Sequence, residues 1–142
     1  MSRHAFILAA LLAASPAWAA GYQAELDPVP FDASNRADVI GSIGDVTATL
    51  DGNTLTVSGT FSNMTSPATG ASVRIGLAKG VPGDAIGTLT ATTAPNGTVA
   101  GSIKLTSAQA AALKKQALYI RIDSQKAPDG NLQGWLEETG SN

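Results

Sequence analysis

The chain contains no cysteine, and its single histidine is His4. Without thiols there are no disulfides, no thiolate metal ligands and no cysteine nucleophile. His4 lies in a segment that reads as a removable leader. Processing would therefore also delete imidazole, the usual metal ligand and neutral-pH base. Charge is sparse too: 9 Lys and Arg against 11 Asp and Glu, together 14% of residues, for a net charge of −2. Losing Arg3 with the leader takes that to −3. No basic patch emerges, so neither nucleic acid nor an anionic membrane surface is an expected partner. Long hydrophobic runs are missing as well. The apolar stretch Phe6 to Ala14 is too short for a bilayer, which takes roughly 20 residues, and no later stretch resembles a transmembrane segment.

What is present begins with that leader. Arg3 is a positive start, Phe6 to Ala14 an apolar run, and Ala17-Trp18-Ala19 an A-x-A cleavage site. The pattern is that of a secretory signal peptide, residues 1–19, cut after Ala19. It predicts a periplasmic or secreted protein whose residues 20–142 form a single soluble domain. A total of 142 residues is too few for two ordinary domains, and what remains exceeds the roughly 100 residues of a β-sandwich.

The stretch Thr54 to Leu77 sets the fold class. Leu55, Val57, Gly59 and Phe61 share one parity, and Thr54, Thr56, Ser58 and Thr60 the other. Successive side chains of a strand point to opposite faces, so this is a half-buried strand. Ala71, Val73, Ile75 and Leu77 repeat the pattern with Ser72 and Arg74 facing away. Further strands are predicted over Tyr22 to Leu26, Asp45 to Leu50 with Asp45 outward, Ile86 to Thr92, Thr98 to Leu105, Leu118 to Ser124 with Leu118, Ile120 and Ile122 on one face and Tyr119, Arg121 and Asp123 on the other, and Asn131 to Glu138. Turn signals separate them: Asp51-Gly52-Asn53, Pro95-Asn96-Gly97 and Ala127-Pro128-Asp129-Gly130. The first turn joins its two strands into an antiparallel pair. Pro28 and Pro30 break the first strand, since each lacks an amide donor.

One segment departs from the β pattern. Thr106-Ser107-Ala108-Gln109 matches a capping box, in which a Thr hydroxyl and a Gln side chain satisfy first-turn amides reciprocally. Alanines, Leu113, Lys114 and Lys115 follow, giving a short helix over residues 106–116 with a cationic C-terminal end.

Several chemical motifs are incomplete. DASNRAD, residues 32–38, has the outline of a calcium loop, but Arg36 stands where a ligand is needed, and Phe31 to Asp38 reads as a polar surface loop. The Gly/Pro loop Lys79 to Asp84 lacks GxxxxGK[ST]. Asn63-Met64-Thr65 and Asn96-Gly97-Thr98 are glycosylation acceptors for a eukaryotic secretory route.

The order of the pieces resembles the CHRD domain, a family first described in chordin. The resemblance rests on YQAEL before a Pro-containing loop, LTVSGTFSNMTSPATGA, the TSAQAAAL helix, and LYIRIDSQKAPDGNLQGWL. It runs from about Tyr22 to Leu136. It implies an all-β, immunoglobulin-like antiparallel β-sandwich or barrel with one short helix, in an exported protein. Many members carry A-H-I-H where this chain has Ala71, Ser72, Val73 and Arg74, and a histidine where it has Asp123. The resemblance therefore points to Ser72, Arg74, Arg121 and Asp123 as a polar binding cluster, with an Arg74–Asp123 ion pair in place of the histidines.

No catalytic residue, metal site or cofactor is expected. The reading that follows is a non-catalytic module that binds a protein or an extracellular polymer through a sheet face or edge. Two alternatives stay open. Glu25, Asp27, Glu137 and Glu138 could form a carboxylate pair for glycoside hydrolysis if the first and last strands meet. Asp123 or Asp129 could supply a weak oxygen-ligand, calcium-type site.

Overall fold

The computed structural model describes residues 19–139. The expected leader lies outside them except for Ala19, as do the last three residues of the tail. The strands are β1 (Ala19–Pro28), β2 (Ile43–Asp51), β3 (Thr54–Ser62), β4 (Ala68–Ile75), β5 (Asp84–Ala91), β6 (Gly97–Lys104), β7 (Leu118–Ser124), β8 (Leu132–Trp135) and β9 (Glu137–Glu138). Two helices interrupt them, α1 (Arg36–Val39) and α2 (Ser107–Lys114).

Alternation makes the strands, and closure makes the barrel. Around the wall the order is β1-β2-β3-β6-β5-β4-β7-β8 and back to β1, antiparallel throughout. This eight-stranded closed barrel leaves no long free sheet edge. β9 continues the line of β8 along β1. Hairpin β2–β3 turns on Gly52 and Asn53, with Asp51 opposite Thr54 and Gly52 at φ +65°, a conformation glycine reaches without steric cost. The chain then leaves β3 for β4, which lies on the far side of β5 and β6. α2 carries it back from β6 to β7 beside β4.

The inward parity is aliphatic. Leu26, Val46, Leu55, Leu118, Ile120, Ile122, Leu132 and Leu136 are all essentially inaccessible. Each such burial stabilises by about 1.5–3 kcal/mol. α2 closes one end and buries Leu113. Its capping box is complete: the Gln109 amide donates to Thr106 Oγ1 at 3.1 Å, and the Thr106 amide to Gln109 Oε1 at 2.9 Å. Gln116, at φ +63°, turns the chain into β7.

A buried polar network ties α1 to the end of β7. Asn131 Nδ2 donates to Ser42 Oγ at 2.9 Å, and Ser42 Oγ donates to the Val39 carbonyl at 2.7 Å. Ser124 Oγ donates to Asn131 Oδ1 at 2.7 Å and accepts from the Ala127 amide at 3.1 Å. Each polar side chain is satisfied, as burial at this depth requires.

Four local expectations change. The segment expected as a polar loop over Phe31 to Asp38 carries the start of α1, whose Val39 is fully buried. Pro28 does not break β1, because it pairs with Leu132 at the strand's end, where a missing donor costs little. Leu77, expected inward, is 95% exposed because β4 ends at Ile75. Tyr119, expected on the outward face, is buried. Trp135 stacks on its ring at 4.5 Å, and its hydroxyl bonds the Gly83 backbone of the β4–β5 loop.

The wall has two short seams. β5 and β6 share only the pairs Thr90↔Ala100 and Ala91↔Val99. β1 and β8 share only Asp27↔Gln133 and Pro28↔Leu132.

Candidate functional site

The cluster expected at Ser72, Arg74, Arg121 and Asp123 lies on the outer face of β4 and β7, split into two pairs. Ser72 is the register partner of Arg121. Arg121 Nε donates to Asp123 Oδ1 at 2.8 Å in a half-buried ion pair. Arg74 donates from Nη1 to Ser72 Oγ at 3.3 Å and from Nε to the Gly83 carbonyl at 3.1 Å. The expected Arg74–Asp123 ion pair is therefore absent. Register explains it: Arg74 stands opposite Tyr119, whereas Asp123 stands opposite Gly70. Four residues along a strand is about 13 Å, beyond any direct contact.

A second constellation forms where the first and last strands meet. Gln23 pairs with Glu137 and Asp27 with Gln133. The same register puts Glu25 level with Trp135. On the other side of β1, Glu25 faces Asp45 of β2. Glu25, Asp27, Asp45 and Glu137 line one open cleft of about 830 Å³, with Trp135 and Lys79. Gly134 lets the strands approach, because a Cβ there would strike the Glu25 carbonyl. Lys79, from the β4–β5 loop, reaches across to an ion pair with Glu137. The indole Nε1 of Trp135 is buried without a partner among the described residues.

Beside it lies a smaller cleft of about 410 Å³, lined by Arg121, Lys126, Asp129 and Pro82. Val29, Pro30 and Gln133 belong to both linings, so they form the ridge between the two. One groove is acidic with an aromatic wall, and its neighbour carries two cations against one carboxylate. Gly130, at φ +130°, leaves room for the Arg121 stem: a Cβ there would come within 3.1 Å of Arg121 Cδ.

Of the four carboxylates expected together, Glu25, Asp27 and Glu137 share the acidic cleft, and Glu138 lies beyond it opposite Tyr22. Asp45 and Lys79 are additions. Asp45 has outward parity in the sequence, and a β1–β2 register would have revealed it. Lys79 sits in a loop whose path no local signal gives. Asp123 is engaged by Arg121, and Asp129 lines the other cleft. Asp32, in the calcium-like segment, accepts from the Ser34 amide and hydroxyl at 2.8 and 2.6 Å. Those hydrogen bonds hold its carboxyl below the usual aspartate range. At the barrel end, burial and then the Glu138 charge push the Tyr22 phenol above its ordinary value.

No helix among the described residues is long and apolar enough to cross a membrane. Neither a curated protein nor a solved structure matches the chain. The family model described as CHRD domain does match, over residues 22–136. That span covers β1 to β8 almost whole and, except for Glu137, the lining of both clefts, and by it this chain belongs to the CHRD domain family.

Proposed function

We propose that this CHRD domain is an exported, non-catalytic module of the periplasm or extracellular space, which grips a protein or an extracellular polymer in the clefts of its outer face. The observation that carries the reading is the pair of adjoining grooves at the β1/β8 seam. They are held by paired strands rather than by loops alone, and rigid strands hold a binding surface at little entropic cost. The absence of thiols, together with the loss of imidazole on processing, supports gripping over turnover. We also read the barrel's division along its two short seams as a relative of the immunoglobulin-like sandwich.

A carboxylate hydrolase is the second reading, favoured by one observation: Glu25 and Asp45 are cross-strand neighbours. Retaining glycosidases need carboxyl groups about 5–5.5 Å apart. They also need a general acid that keeps its proton, usually through burial, and Glu25, Asp27 and Asp45 are all exposed.

Two measurements test the proposal. N-terminal sequencing of the protein from cell fractions should find a chain beginning at Ala20 outside the cytoplasm. Assays with aryl glycosides should show no turnover above that of a Glu25→Gln variant. Turnover that this variant abolishes would replace the binding reading with the hydrolase.

A further inference from the structure

Resting on the binding-module reading, we infer that the ligand of the two clefts is an extended polypeptide segment of mixed charge, its basic side chain seated between Glu25, Asp45 and Trp135 and a neighbouring acidic side chain over Arg121 and Lys126. Three observations meet here.

First, Glu25 and Asp45 face each other as direct cross-strand partners, and like charges so placed repel. Neither forms an ion pair among the described residues. An ammonium or guanidinium between them would turn that repulsion into attraction. The indole of Trp135, level with Glu25, adds the pull of a ring quadrupole on a cation.

Second, the protein already seats a cation in this cleft. Lys79 reaches in from the β4–β5 loop and rests on Glu137. A lysine stem arriving from outside would repeat this at the opposite end of the cleft. Glu137 is neutralised by Lys79, while Glu25, Asp27 and Asp45 are not.

Third, the next groove offers cations where the first offers carboxylates. Lys126 and Arg121 line it against Asp129. Arg121 is shared with Asp123, and Lys126 is without an ion pair among the described residues. A uniform polycation would find no carboxylate on that lining beyond Asp129, and a neutral polysaccharide would satisfy neither groove's charge. Charge complementarity of this kind sets specificity and register more than raw affinity. In an extended peptide, side chains two residues apart lie on one face, about 7 Å from each other. Lysine and glutamate two residues apart, as in a Lys-Ser-Glu-Ser repeat, therefore present both charges toward the ridge at Gln133.

The exported protein would be titrated calorimetrically with three probes: an alternating eight-residue peptide made of two Lys-Ser-Glu-Ser repeats, octalysine, and chitohexaose. The alternating peptide should bind at least tenfold tighter than octalysine and lose at least tenfold between 50 and 500 mM NaCl, as screening demands. Glu25→Gln and Lys126→Gln should each weaken it at least fivefold while leaving the melting temperature unchanged or higher. Octalysine binding as tightly as the mixed peptide would overturn the inference, and so would affinity indifferent to both variants. Chitohexaose binding in place of the peptide would end the polypeptide assignment and leave the binding-module reading standing. Silence from all three probes would end the assignment as well. The turnover assay above judges the parent reading separately.

Discussion

At the β5/β6 seam, Gly87 and Gly101 lie under aliphatic side chains: a Cβ on Gly87 would meet Ile103 Cγ2 at 2.5 Å, and one on Gly101 would meet Leu89 Cδ2 at 2.8 Å. At the β1/β8 seam, Gly134 lies against the backbone of Glu25, and charged groups open outward into a cleft. Both seams are held by two register pairs. One is sealed by hydrocarbon folded over glycine, and the other is drawn tight chiefly by main chain, with Leu26 Cδ2 beside Gly134 on the inner side. A barrel can afford few ladder bonds at a seam if side chains fill it. Where they do not, the outer face becomes available for binding.

The sharpest way to break this contrast is to add one methyl group at each seam. Gly134→Ala would drive its Cβ into a carbonyl that cannot turn away, and should cost about 3 kcal/mol or more. Gly87→Ala would meet the branch methyl and Cβ of Ile103, a side chain that can shift more than a ladder carbonyl can, and should cost about 1–2 kcal/mol. Urea midpoints with unchanged slopes would check both. Equal losses would show that the two seams close in the same way.

Next in size is the network that ties α1 to the open seam's lower end. Asn131→Ala would take the acceptor from the buried Ser124 hydroxyl and a donor from Ser42 Oγ, and should cost about 2 kcal/mol, read as the same urea midpoint. The sealed seam has no buried polar network of this kind among the described residues, so Thr90→Ala, on its exposed side, should stay within about 0.5 kcal/mol.

Strand parity made the wall legible in the sequence. Leu118 to Ser124 and the capped helix are found nearly where alternation and the TSAQ box put them, and the first and last strands do meet. Parity says which side a residue faces, but not what covers that side. Tyr119 has outward parity and is buried because Trp135 and the Gly83 loop lie over it. Arg74 and Asp123 share a face, yet register, a property of two strands together, sets them about 13 Å apart. Asp45 joins Glu25 for the same reason: no local pattern encodes which residue of β2 stands opposite which of β1. The α1 segment misled because its composition is polar, while Val39 is buried and Ser42 just after it meets Asn131, far along the chain.

Tyr22 offers a milder test, farther along β1 where it stands opposite Glu138 of β9. Its hydroxyl is buried without a partner among the described residues, and an unsatisfied polar atom costs about 1–3 kcal/mol. Tyr22→Phe should therefore stabilise by about 1 kcal/mol. The phenol is held above its ordinary value of 10.0, so the folded state keeps this proton more tightly than the unfolded chain does. Its stability contribution is complete below about pH 10 and is lost as pH rises through the folded value. Alkaline melting curves should fall above that pH in the parent and fall less in Tyr22→Phe. Identical alkaline slopes would place the hydroxyl in contact with solvent.

The smallest effect isolates charge. Glu25→Gln removes one of two carboxylates standing opposite each other and should stabilise the barrel by a few tenths of a kcal/mol at low salt. In 1 M salt the screening length is about 3 Å, so the difference between variant and parent should vanish. Ser102→Ala, beside the sealed seam, alters no charge and should respond to salt as the parent does. If Glu25→Gln instead destabilises at low salt, Glu25 has a favourable partner in the free protein. The acidic cleft would then be a structural ion cluster, and the two seams would differ in packing rather than in purpose.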